Sequence, residues 1–104
     1  MTEYEMNLMW LKTVLAAYRS IPENARHRRS INRLIERSRD AATGTEEKKL
    51  HNLIVLEYIT DTERAKSAIC EALHISPDRY EEAKQRAIDR LCVLAFGVDG
   101  LDLS

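Results

Sequence analysis

The sequence predicts an all-α protein, a compact five-helix bundle with a helix-turn-helix in its C-terminal half. Apolar residues recur at three and four residues, the helical period, and not at two. Gly (three) and Pro (two) are scarce, while Ala, Leu, Ile, Glu and Arg dominate, most of them strong helix formers. At 104 residues, 44% of them apolar, the chain has enough for one core and too little for two. A single domain is therefore expected. It divides into an N-terminal helical hairpin over 1–44, a helix-turn-helix region over 45–97 and a loose tail over 98–104, in which Leu101 and Leu103 are candidates to dock.

The first helix is expected over Thr2–Arg19, with Met6, Met9, Trp10, Val14, Ala17 and Tyr18 as a one-sided apolar stripe. That stripe, with its early methionines, suits either the core or a contact with a second copy. Ser20-Ile21-Pro22-Glu23 then reads as a break and restart: Ser20 as cap, Pro22 in the first turn and Glu23 closing a capping box. The second helix should run Pro22–Ala42 with a narrow apolar stripe through Ala25, Ile31, Leu34, Ile35 and Ala41. Gly44 stops it and Thr45 caps the next. The third, Glu46–Ile59, is the most apolar, with acidic residues at the positive end of its dipole. Thr60-Asp61-Thr62 restarts the chain into a fourth helix, Thr62–Leu73. The fifth has Ser76 as cap and Pro77 at its first position, and runs to Phe96, with Gly97 ending it.

Charge is unevenly placed. The net charge of -1 argues against attraction of the whole surface to nucleic acid. Yet Arg26, Arg28, Arg29, Arg33, Arg37 and Arg39 are opposed within their segment only by Glu36. Arg26, Arg29, Arg33 and Arg37 recur on one helix face, a row able to track a phosphate backbone or simply to solvate the helix. Cys70 and Cys92 lack metal spacing and read as reduced, buried packing residues, which points to a cytoplasmic protein. His27, His51 and His74 share no ligand spacing, so neither a metal nor a cofactor is expected. The N-terminus lacks the order of a signal peptide, and no apolar run reaches a membrane span. No nucleophile sits beside a base in sequence and no glycine-rich phosphate loop occurs, so catalysis is not expected.

Ser67–Leu91 carries the most chemistry. Ile69, Leu73, Ile75, Tyr80 and Ala83 have the apolar spacing of a helix-turn-helix. Cys70 supplies a small residue where the helices cross. His74 takes the turn position that needs an unusual backbone angle, and histidine is among the residues enriched there. Ile75 plugs the turn. Ser76, Asp78, Arg79, Glu82 and Gln85 are left outward, nearest the bases if the helix over about 77–96 enters a major groove. Lys84, Arg86 and the row Arg26, Arg29, Arg33 and Arg37 are the phosphate candidates.

Leu56-Glu57-Tyr58-Ile59, the run Ile69–Ser76, then Tyr80, Arg86-Ala87-Ile88 and Arg90-Leu91 resemble the promoter-reading C-terminal region of bacterial sigma factors. The stretch from about Glu47 to Gly97, roughly half the chain, looks like the ArpU and RinA group of phage and prophage transcriptional regulators. The resemblance implies a sigma-like helix-turn-helix, double-stranded DNA as ligand, transcriptional regulation and RNA polymerase as a partner. A homodimer reading two half-sites would add specificity.

Departures from that pattern keep a second reading open. Pro77 stands where an arginine is expected, and Glu81 and Glu82 stand where a basic and an amide residue are expected. Asp78 keeps the acidic character of its position, and Arg79 matches a basic one. Arg79, Lys84, Arg86 and Arg90 are balanced by Asp78, Glu81, Glu82 and Asp89, so the reading helix is locally neutral. Phosphate neutralisation supplies most non-specific affinity. Either other residues lend charge, or the chain is a non-catalytic protein-interaction module that has kept the shape without DNA binding.

Overall fold

A computed structural model describes residues Met1–Gly97, and the tail expected from Val98 lies outside the described residues. Five α-helices form the fold, with no strand among the described residues. They are α1 (Glu3–Ala17), α2 (Arg26–Ala41), α3 (Thr45–Ile54), α4 (Lys66–Leu73) and α5 (Tyr80–Phe96). The all-helical expectation holds. The fifth helix is the axis of the molecule, with α1, α2 and α3 all packed against it. Its Ala87, Ile88, Leu91 and Cys92 meet Leu11 and Leu15 of α1, Ile31 of α2, and Leu53 and Ile54 of α3 in one core.

Thr2 caps α1: its hydroxyl accepts from the Glu5 amide at 3.1 Å, and Glu5 reaches back to complete the box. The buried face of α1 is the expected one only in part: Val14 and Tyr18 are buried as expected. Leu11, Val14 and Leu15 point inward, while Met6, Met9 and Trp10 remain exposed. Leu8, Leu11, Leu15 and Tyr18 also follow the helical period, and packing selects that stripe over the methionine one.

The second helix begins at Arg26, later than expected, and Ser20 caps nothing. A 3-10 turn, Tyr18–Ser20, follows α1, and the Ala25 amide closes a turn onto the Pro22 carbonyl at 3.0 Å. Arg28 explains the delay. Its guanidinium lies 4.5 Å over the Tyr18 ring and donates to the Ile21 carbonyl at 2.8 Å. Those bonds hold the segment in an extended-then-turned path that a helix from Pro22 would break.

Gly44, not Thr45, is the N-cap of α3. That helix widens into a π turn, Val55–Ile59, closed by the Thr60 amide on the Val55 carbonyl at 3.0 Å. The wider turn brings Glu57 to the start of α5, where it accepts a hydrogen bond from the Tyr80 hydroxyl and pairs with Lys84 at 3.3 Å. Residues 61–65 are irregular, so α4 starts at Lys66 rather than Thr62.

Candidate nucleic-acid interface

The corner between α4 and α5 has the backbone that its sequence asks for. His74 sits at φ 56°, ψ 45°, and no other non-glycine residue among those described has a positive φ. The left-handed turn lets the Ile75 amide reach back to the Cys70 carbonyl at 2.9 Å, satisfying an end of α4. Ile69, Cys70 and Tyr80 are buried on either side of the corner. Ser76 is extended and makes no side-chain cap. Pro77–Arg79 form a 3-10 turn that leads into α5. This corner leaves Ser76, Asp78, Arg79, Glu82 and Gln85 exposed together.

A groove runs along that exposed edge, between the start of α5, the His74 turn and the first turns of α3. Lys49, His74, Ser76, Arg79, Glu82 and Arg86 face it. Arg86 is 3.2 Å from Glu46, but both side chains are more than half exposed, so the pair is weak and easily redirected. Lys49 is the functional candidate that sequence reasoning missed. It lies far from α5 in the chain, and only the packing of α3 places it beside Arg79.

The other phosphate candidates are placed differently. Lys84 is turned inward, paired with Glu57 and 5.6 Å from the centre of the Tyr58 ring. The row Arg26, Arg29, Arg33 and Arg37 is carried by α2 beside the opposite end of α5, where Arg37 donates to the Leu94 carbonyl at 2.9 Å. Leu94 is about 22 Å along the helix axis from Arg79. That exceeds the Debye length of about 8 Å at physiological salt, so the row lends little field to the exposed edge around Arg79. The structure therefore brings Arg79, Arg86, Ser76 and Glu82 to one groove, leaves Asp78 and Gln85 exposed outside its lining, and does not bring the α2 arginines to them.

One buried polar cluster has the composition of a catalytic pair. Ser38 Oγ lies 2.9 Å from His51 Nδ1, and Arg90 donates to the same Oγ at 2.8 Å. Arginine can only donate, so the serine oxygen accepts from Arg90, and the same hydroxyl is within hydrogen-bond distance of the His51 ring nitrogen. Ser38 is 1% exposed, so the cluster is enclosed by and ties together α2, α3 and α5. Burial, and after it the charges of Arg90 and Arg39, hold His51 below its ordinary value of 6.5. Burial likewise pushes the Cys92 thiol up, away from thiolate chemistry. No group of three potential metal ligands occurs among the described residues, and none of their helices is long and apolar enough to cross a membrane.

Comparison with protein-family models, with curated proteins and with solved structures finds no match.

Proposed function

We propose that the protein is a sequence-specific DNA-binding transcriptional regulator of the sigma-like helix-turn-helix kind, of phage or prophage origin. The observation that carries this reading is the left-handed His74 corner, which buries Tyr80 and leaves Ser76–Arg79 exposed at the start of a long helix. In the complex, Ser76, Asp78, Arg79, Glu82 and Gln85 face base edges in the major groove. Lys49 and Arg86 meet the flanking phosphates. Asp78 and Glu82 accept from cytosine N4, and Arg79 donates to guanine or to phosphate. The near-neutral edge makes non-specific affinity low, so binding depends on base contacts and on a second half-site supplied by a homodimer. Such a regulator acts in the cytoplasm, without catalysis, beside RNA polymerase.

Selection of a random duplex library on the full chain at low salt tests the reading. It predicts one enriched sequence, and about a 5- to 150-fold loss of affinity for it in Arg79→Ala, from a contact of about 1–3 kcal/mol. No enrichment, or equal affinity in the variant, removes it.

The competing reading, a non-catalytic protein-interaction module, is favoured by one observation: the richest cluster of positive charge lies on α2, away from the reading edge and beside exposed apolar side chains of α1.

A further inference from the structure

A second groove lies at the opposite end of α5, enclosed by α1, α2 and the last turn of α5. Trp10, Ile31, Leu34 and Phe96 form its apolar part, and Arg33 and Arg37 stand over it. Trp10 packs edge-on against Phe96 at 5.9 Å and against His27 at 6.2 Å between ring centres, which fixes the indole as one wall. Its cavity volume of about 270 Å³ suits one or two side chains rather than a cofactor. No carboxylate lines it among the described residues.

The surroundings extend the same chemistry in two directions. Arg26 and Arg29 continue the row of Arg33 and Arg37 along α2, a line of cations about 16 Å long, or three helical turns. Met6 and Met9 lie on the Trp10 face of α1, 58% and 54% exposed, and add a soft apolar margin. An apolar seat bordered by a row of one charge is the counterpart of a short amphipathic helix of the other charge. A phosphate backbone would use the arginines and leave the Trp10 and Phe96 seat empty.

We propose that this groove docks an acidic amphipathic segment of a partner protein, about three turns long. One leucine or aromatic side chain enters between Trp10 and Phe96, and carboxylates pair with Arg33 and Arg37. Desolvated arginine and tryptophan at the centre of a small interface are the residue types that dominate binding energy elsewhere. This surface is separate from the DNA-reading edge and does not rest on it.

Selection of a displayed random peptide library on the full chain tests the proposal without DNA. Enriched peptides should combine Asp or Glu with a Leu, Phe or Trp anchor. The best of them should shift the emission of Trp10, the only tryptophan of the chain. The double variant Arg33→Glu, Arg37→Glu should bind that peptide about tenfold or more weakly, and should regain binding when its acids are exchanged for lysines. Far-UV circular dichroism checks its fold, and Arg33→Gln serves as the milder variant. No enrichment, enrichment of neutral or basic peptides, or unchanged affinity in the double variant overturns the proposal. So does a change of Trp10 emission in Asp99→Asn, Asp102→Asn without peptide, which makes the chain's own C-terminal residues the occupant. Displacement of the peptide by single- or double-stranded DNA at equal charge assigns the row to nucleic acid instead.

Discussion

His74 shows how one residue sets a corner. Its φ of 56° costs a side chain with a Cβ about 1 kcal/mol, more if the side chain is β-branched. His74→Gly should leave stability equal or raise it by about 0.5–1 kcal/mol, and His74→Val should lower it by about 1–2 kcal/mol. Urea denaturation of the two variants measures the difference. Equal stabilities would mean that the corner tolerates other backbone angles. The sequence identified this position because its neighbours left only one residue suited to a left-handed angle between two apolar runs.

His51 gives a pH dependence at the same scale. Folding lowers its affinity for a proton, first because the ring is buried and then because Arg90 and Arg39 stand close by. The unfolded chain then binds the proton more readily. The stability contribution is complete above pH 6.5 and is lost as pH falls through the lowered folded value. Wild type should lose more stability between about pH 7.5 and about pH 5.5 than His51→Asn, whose amide can still hydrogen-bond to Ser38 but does not titrate. Parallel losses in the two proteins would contradict the neutral, buried imidazole.

At the scale of elements, the π turn Val55–Ile59 ties the end of α3 to the start of α5. It places Glu57 where the Tyr80 hydroxyl and Lys84 meet it. Tyr80→Phe should cost about 1–2 kcal/mol, because it leaves the half-buried Glu57 carboxylate with Lys84 alone. A thermal melt with no shift would show that solvent replaces the hydroxyl without cost.

Helices three and five were legible to within a few residues, because each combines a dense apolar period with a stop signal. Helix two was misjudged at its start because Ser20-Ile21-Pro22-Glu23 satisfies a local capping pattern. The bonds that decide the matter, Arg28 to Ile21 and Arg28 on Tyr18, join residues whose geometry is not written locally. Trp10, which the sequence leaves between the core and a contact with a second copy, is 39% exposed. Two apolar stripes overlap on α1, and only the partner helices choose between Leu11 and Trp10. The reading edge was legible as exposed residues after His74, but Lys49 was not, since it comes from another helix.

At the scale of the whole molecule, α5 is both the centre of the core and the spacer between two surfaces. Leu91, 1% exposed where three helices converge, should cost about 2–5 kcal/mol on truncation to Ala. A smaller loss would mean that α1 and α2 close over the cavity. The reading edge and the arginine groove lie at opposite ends of the same helix, so charge on one is screened from the other.

Nuclear magnetic resonance of the full chain titrated with its selected duplex tests the central claim most directly. Backbone shifts should concentrate on Ser76–Gln85 and Lys49, with Arg26–Arg37 unmoved. Shifts concentrated on Arg26–Arg37, or none at low salt, would contradict a DNA reader built on the His74 corner.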